Sequence, residues 1–379
     1  VTVFKYYAYH PVQRWALGGG VPLAVRNPVW TEALSVGTTL SFSITVPADP
    51  FKISRIREAT EPDVAAIYVT TDEGVIPWGG VVKKREWDPD NSTWTITCVE
   101  WRSWLYSILL SPKKDLSGDN TYTYTALDQL EIARRIINIV TFYGAVEGVP
   151  PILRDASQMS GVLRSSTYRG TTFSNAGKEL DLLAGLSNGF EWDIEIVRSP
   201  VDQLPIMKFV MYYPQRGGLV PTLLFRVNQG KLEGLTEDST NVATRMWAIG
   251  EGPNAESLPY SVDIAPELVN GYRLRADAAS QYAGVYDRTT LASYARAERR
   301  YRDVDLDVVT FSTTLNNPEV MSYQKGDRGR LIYKDRVYNI DVPAARILSK
   351  EVSPEINQVK VTVDLSDVAV PEVDPGGAV

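Results

Sequence analysis

His10 is the one histidine of the sequence, and it stands before Pro11 in a turn-prone segment. A triad that needs an imidazole base has this single candidate, with no Gly-x-Ser-x-Gly elbow near it. Catalytic zinc usually takes two or three imidazoles, and a His-Glu-x-x-His helix cannot be written with one. Zinc hydrolysis is therefore excluded, and His10 is expected to be a surface or packing residue. The single cysteine, Cys98, lies in the alternating run Trp94-Thr95-Ile96-Thr97-Cys98-Val99-Glu100. One thiol excludes an internal disulfide framework and a thiolate metal cluster, so a small buried strand residue is expected.

Leu17-Gly18-Gly19-Gly20-Val21 is rich in glycine, yet it lacks the Gly-Lys-Ser/Thr ending of a phosphate loop, and no helix pattern follows it. A flexible loop is expected there. Asp88-x-Asp90-Asn91 resembles the opening of a calcium loop, but Thr93 stands where glycine is needed and Val99 where the bidentate glutamate is needed. Asp303, Asp305 and Asp307 share one strand face, where three like charges repel unless something positive faces them. Solvent or a neighbouring chain is the expected counterpart, with a cation the alternative. Carboxylate pairs for glycoside hydrolysis stay open, because 46 acids always offer pairs and the deciding separation is three-dimensional. No catalytic, cofactor-binding or metal-binding residue is assigned, and no cofactor is expected.

The elements around these residues are mostly strands. Leu40-Ser41-Phe42-Ser43-Ile44-Thr45-Val46 alternates and stops at Pro47 and at Asp49-Pro50, and Ala65 to Thr70 forms another strand. Val75 to Trp87 and Thr93 to Trp104 flank the turn-forming stretch Asp88-Pro89-Asp90-Asn91-Ser92, which predicts a long hairpin. Polar turn residues from Ser111 to Asn120 mark a domain boundary. A helix capped by Thr125 follows, with Leu127, Leu130, Ala133, Ile136, Ile137 and Val140 at helical spacing up to Gly144. A second helix is predicted from Ser174 to Ser187, ahead of strands Phe190 to Ile196 and Ile206 to Tyr213. Asn241 to Ile249 is a strand ending at Gly250-Glu251-Gly252-Pro253-Asn254. A helix from Thr290 to Arg300 precedes strands at Asp305 to Thr313, Arg328 to Tyr333, Val337 to Val342 and Gln358 to Leu365. The letters show no internal repeat.

The whole chain of 379 residues is long enough for two or more domains, and 44% hydrophobic with 22% charged residues fits a soluble globular protein rich in Trp (9) and Tyr (20). No run approaches the length of a membrane span, and the first residues lack a signal-peptide layout, so synthesis in a cytoplasm and no membrane insertion are expected. Net charge is −7, which disfavours clamping nucleic acid through a basic face. Arg296, Arg299, Arg300 and Arg302 cluster around one helix, and Lys325, Arg328, Arg330, Lys334 and Arg336 crowd a later hairpin. Either cluster suits an acidic neighbouring subunit, although a solvated face explains each alone.

Three stretches carry a family resemblance. They are the hairpin from Trp78-Gly79-Gly80 through Cys98-Val99-Glu100-Trp101-Arg102-Ser103-Trp104-Leu105, the turn Gly189-Phe190-Glu191-Trp192-Asp193-Ile194, and Tyr323-Gln324-Lys325-Gly326-Asp327-Arg328-Gly329-Arg330-Leu331. With the order of domains, they resemble the hub, or minor tail, proteins of siphophages, related in architecture to the baseplate hub of contractile tails. Lys325 stands where such proteins usually have proline.

The resemblance implies an α+β, mainly β fold with two tail-tube-like β-barrel or sandwich domains. These are residues 1–112 and residues 227–254 joined with 302–368. A helix-containing α+β domain spans 113–226, a helical segment is inserted at 255–301, and 369–379 form a flexible tail. It further implies a virion protein at the tail tip, a homotrimer whose six tube-like domains form a pseudo-sixfold ring adapting a sixfold tube to a threefold tip. Its partners are then the tail tube or distal tail protein, the tape measure protein and other tail-tip proteins, with genomic DNA passing through the lumen unbound. An acidic lumen repels phosphate, so lumen-facing loops are expected to be more acidic than the outer surface. The competing reading is a virion-associated protein that binds or degrades host-surface polysaccharide, its aromatics stacking on sugar rings. Trp87, Trp94, Trp101 and Trp192 are instead expected in core packing.

Overall fold

The computed structural model describes residues 2–110, 121–141, 148–155, 158–169, 174–186, 188–228, 231–238, 243–250, 258–266, 275–282, 285–302, 306–336 and 338–365. It is an α+β fold dominated by strands. The N-terminal flank holds β1 (Phe4–His10), β2 (Trp15–Ala16), β3 (Arg26–Ala33), β4 (Thr39–Thr45), α1 (Pro50–Ala59), β5 (Ala66–Thr71), β6 (Trp78–Asp88), β7 (Thr93–Glu100) and α2 (Trp101–Leu105). The middle holds β8 (Thr121–Asp128), α3 (Gln129–Thr141), β9 (Ile152–Arg154), β10 (Leu163–Arg169), α4 (Ala176–Ala184), β11 (Glu191–Arg198) and β12 (Pro205–Tyr212). The C-terminal flank holds β13 (Leu219–Val227), β14 (Leu232–Asp238), β15 (Arg245–Ile249), β16 (Tyr260–Ile264), β17 (Asp277–Gln281), α5 (Arg288–Arg302), β18 (Leu306–Thr313), β19 (Arg328–Lys334), β20 (Asn339–Ser353) and β21 (Gln358–Asp364).

Both flanks belong to one 13-stranded sheet, in the order β14-β18-β21-β20-β3-β4-β7-β6-β5-β1-β2, with β19 on β20 and β13 on β19. Within it a five-strand antiparallel unit occurs twice: β3-β4-β7-β6-β5 and β14-β18-β21-β20-β19. The correspondence extends to irregularities. The long strand of each hairpin carries a register shift at the same place, between Val82 and Lys84 in β6 and between Ile347 and Ser349 in β20. The two units join where β3 pairs antiparallel with β20, Trp30 opposite Val352 and Glu32 opposite Lys350.

Alternation explains how the sheet is covered. Leu40, Phe42 and Ile44 point into a core shared by both flanks, together with Val309, Phe311, Ile347, Val361 and Val363. The strands β5 and β6 are covered on both faces: Ile67, Val69 and Val82 face that core, and Ala66 and Val81 face a second one. That second core gathers α2, the apolar stripe of α3 (Leu130, Ala133, Ile136, Ile137), Leu180 and Leu183 of α4, and Trp192, Ile194 and Ile196 of β11. A third, small core sits where β15, in the sheet β16-β15-β17, packs Ala248 against Leu291 and Ala295 of α5.

Several expected elements are placed differently. Asp49-Pro50 does not simply end a strand: Asp49 accepts from the Phe51 N–H and Pro50 supplies the first helical φ of α1, an amphiphile too weak to show as periodicity. The hairpin strand expected to reach Trp104 stops at Glu100 and turns into α2. Thr125 is not a cap but a residue of β8, and Asp128 caps α3. Arg245–Ile249, expected in the second β domain, pairs with β16 and β17 in the small sheet. No sheet of the described residues closes into a barrel, because the flanks join edge to edge and leave the outer strands of the chain unpaired. The boundary at Ser111 to Asn120, the Gly250 to Asn254 turn beyond Gly250 and the tail at 369–379 lie outside the described residues.

Candidate functional site: a buried ion cluster where three regions meet

The three stretches that carry the family resemblance converge on one point. Glu100 ends β7, Asp193 sits in β11, and Lys325 lies in the turn before β19. The Lys325 ammonium is 2.7 Å from the Asp193 carboxylate and 3.4 Å from that of Glu100. All three side chains are buried. Arg216 reaches the same Asp193 oxygen at 2.6 Å and Glu195 at 3.0 Å, and Arg346 meets Glu191 at 2.7 Å. At the sheet joint beside them Lys350 lies 3.3 Å from Glu32 and donates to the carbonyls of Val320 and Tyr323. A cavity of about 230 Å³ runs among Glu32, Trp78, Asp193, Arg216, Tyr323 and Lys325.

Local sequence explains the placement. In β11 the apolar residues Trp192, Ile194 and Ile196 face the helical core, so Glu191, Asp193 and Glu195 must face the other way, toward the flanks. Gly79 of β6 lets that strand approach: a Cβ there would stand 2.6 Å from the Ile196 side chain. Gly326 adopts a φ of +92° against the Arg216 carbonyl, a conformation that favours glycine, and this turn aims Lys325 inward. Lysine in place of proline is thus a structural feature, a buried cation supplied to two acids from other regions.

The charges are mutually dependent. Burial pushes the Asp193 carboxyl up, but Lys325 and Arg216 outweigh it and hold it below the ordinary range. Burial lowers Lys325, and Asp193 and Glu100 more than reverse this. Glu100 is raised, first by burial and further by the neighbouring Asp193, against the opposing pull of Lys325 and of the Thr38 hydroxyl 2.7 Å away. Such a network is weak evidence for stability, but removing its shared cation Lys325 is costly, about 3–5 kcal/mol, because buried acid is then left uncompensated. Its role here is positional: it fixes the middle region against both flanks.

A second arrangement lies near α5. A cleft of about 650 Å³ is lined by Phe190, Trp192, Tyr282 and Tyr294 with Asp181 and Glu298. Its acids are engaged: Asp181 binds Arg102 at 2.7 Å, the Trp192 indole at 3.0 Å and the Tyr106 hydroxyl, and Glu298 accepts from Ser280 and Tyr282. Tyr282 and Tyr294 stack on each other at 4.3 Å.

Of the residues the sequence singled out, His10 accepts from the Gln13 N–H and meets Trp15 edge to face. Cys98 is buried in β7, its thiol pushed far up by burial. The Gly18–Gly20 loop is seated on α1, with Gly18 against Ala59 and Gly19 against Arg55. Asp88 accepts from the Asp90 and Asn91 N–H groups, as a hairpin turn does. Asp303 and Asp305 lie outside the described residues, and Asp307 falls in β18 opposite Glu237. Lys325 and Arg328, expected on a basic surface, are buried, whereas Arg330 pairs with Asp341 at 2.7 Å in solvent. Trp101 and Trp192 are in the core, but Trp87 is half-exposed and meets Trp94 edge to face. Arg216, Arg346, Glu191 and Glu32 were not legible as a site. Glu32 and Glu191 share strands with Trp30 and Trp192, whereas Arg216 lies in a connection between strands and Arg346 has no aromatic strand neighbour.

Sheet, joint and cluster together define a mainly-β α+β fold. No family model and no curated protein matches the sequence. Among solved structures the chain is similar to the 43 kDa tail protein of prophage MuSo2 from Shewanella oneidensis, with 11% identity, a TM-score of 0.58 and coverage of 95% of this chain and 98% of that one. It is also similar to a tail protein from Neisseria meningitidis MC58 (10% identity, TM-score 0.55, 95% and 96% covered). A third is the prophage tail protein gp18 from Listeria monocytogenes EGD-e (12% identity, TM-score 0.54, 95% and 94% covered).

Proposed function

We propose that the chain is the structural hub of a siphophage tail tip or baseplate and performs no catalytic step. Three copies form a ring that caps or continues the tail tube and passes DNA and the tape measure protein during ejection. The observation that carries this reading is the duplicated five-strand unit. A chain with two equivalent units presents six of them in a trimer, which matches a sixfold tube above while leaving threefold symmetry below. The tail tube or distal tail protein and other tail-tip proteins are its neighbours, and the virion is its place. The proposed units are 1–112 and 227–254 with 302–368, amended so that β13 joins the second and β15 joins the inserted segment. A net charge of −7 suits a lumen that must not grip phosphate.

Light scattering of the purified chain tests this: a mass three times the 42.1 kDa chain is the expected result. The second reading, a carbohydrate-binding or polysaccharide-degrading virion protein, is favoured only by the aromatic cleft near α5. A strict monomer that binds or cleaves glycan would select it.

A further inference from the structure

The joint between the two units offers a template for a second, unmade joint. In the chain, the distal half of β20 has β21 on one side and β3 on the other, with Trp30 opposite Val352, Thr31 opposite Glu351, Glu32 opposite Lys350 and Ala33 opposite Ser349. In the N-terminal unit the strand equivalent to β20 is β6. Its distal half, Lys84 to Asp88, pairs with β7 alone, and no described strand covers its other edge. In the C-terminal unit the strand equivalent to β3 is β14, which pairs with β18 alone. Among the described residues both halves of the same joint are therefore unpaired, β14 at one end of the sheet and the distal edge of β6 in the other unit.

Register makes the comparison specific. Counting from the shared register shifts, Lys84, Arg85, Glu86 and Trp87 correspond to Ser349, Lys350, Glu351 and Val352. Leu235, which faces Val309 as Trp30 faces Leu40, corresponds to Trp30, so Thr236, Glu237 and Asp238 correspond to Thr31, Glu32 and Ala33. Placing β14 of one copy on β6 of another in the existing register sets Leu235 opposite Trp87, Thr236 opposite Glu86, Glu237 opposite Arg85 and Asp238 opposite Lys84. The apolar pair recurs, the Thr–Glu pair recurs identically, the acid–base pair recurs with the same polarity, and the fourth position gains an Asp–Lys pair.

Side-chain surroundings agree. Lys350 is held by the carbonyls of Val320 and Tyr323, in the connection between β18 and β19. Arg85 is held by the carbonyls of Arg57 and Thr60, in the topologically equivalent connection between β4 and β5. Within the joint Trp30 and Val352 are 1% and 0% exposed, whereas Trp87 at the unmade joint is 50% exposed.

We infer that β14 of one copy pairs antiparallel with the distal half of β6 of the next, in this register. Partner and surface belong to the same chain, and a contact of this head-to-tail kind closes a ring when its rotation divides a full turn without a rise along the axis. It also covers two sheet edges that invite uncontrolled pairing. The inference rests on the hub reading only for the number of copies in the ring.

Cross-linking tests it. Full-length chains carrying Glu86→Cys are mixed with chains carrying Thr236→Cys and oxidised. Opposed residues on antiparallel strands lie within disulfide reach. In a three-copy ring assembled from an equal mixture, about half of the chains are expected to run as a covalent dimer on a non-reducing gel. Glu86→Cys mixed with Gly234→Cys, two residues out of register, is expected to lose most of that product. Light scattering of the same samples separates the two ideas. A trimer in which the opposed pair forms no more disulfide than the shifted pair overturns this joint and leaves the hub reading standing. A monomer at every concentration with no cross-link overturns both.

Discussion

Glu100 and Asp193 share Lys325 but respond to acid in opposite senses. Glu100 is raised above the ordinary 4.5, so its contribution to stability is fully present below that value and is lost as pH rises through the raised one. Asp193 is held below the ordinary 3.8, so its contribution is present above that value and is lost as pH falls through the depressed one. Glu100→Gln fixes the neutral form in nearly the same shape and keeps an acceptor for Thr38. The variant is expected to melt above wild type at neutral pH, with the difference shrinking as pH falls toward 4.5. A difference in melting temperature that does not change with pH would show that folding does not shift the Glu100 titration. Little of this was visible in the letters. Lys325 replaces a usual proline, yet its spacing places it with Arg328 and Arg330 in one basic cluster, since sequence spacing cannot tell that a turn points into a three-way junction.

At the scale of elements, the sequence revealed what is periodic and misplaced what is set by caps. The β6–β7 hairpin, the β11–β12 pair and the apolar stripe of α3 follow from alternation and helical spacing. The start of α3 does not. Asp128 accepts from the Leu130 N–H at 2.9 Å through one oxygen, and from the Ser160 and Gly161 N–H groups at 2.9 and 2.7 Å through the other. A strand end, a helix start and a loop from elsewhere in the chain thus share one buried carboxylate, and the loop's role is non-local. Asp128→Ala removes the cap and leaves the loop amides without an acceptor. It is expected to cost about 2–3 kcal/mol in urea unfolding, more than a surface cap alone, with Asp128→Asn intermediate. A loss below about 0.5 kcal/mol would mean that solvent satisfies these amides, as it does at exposed caps.

At the scale of the molecule, the duplicated unit is the feature that sequence could not show. Its two versions share pattern and register, with identity at scattered positions such as Thr31 and Thr236 or Glu86 and Glu351, too few to align without the strands. The same geometry makes a claim about cooperativity. One hydrophobic core runs through both units, and Trp30 lies inside it where β3 meets β20, with Phe4 edge to face at 5.0 Å. Trp30→Ala opens a cavity at that joint, and the cost expected for a buried tryptophan is about 3–5 kcal/mol. If the units form one cooperative body, hydrogen-exchange protection falls together in β4 and in β18, although β18 belongs to the other unit. Protection lost in β4 with β18 unchanged would mean that the units are stable separately, and that the β3–β20 joint holds two independent bodies side by side. The first outcome is expected, because Leu40, Phe42, Val309 and Phe311 are buried in the same cluster and no solvent layer divides them.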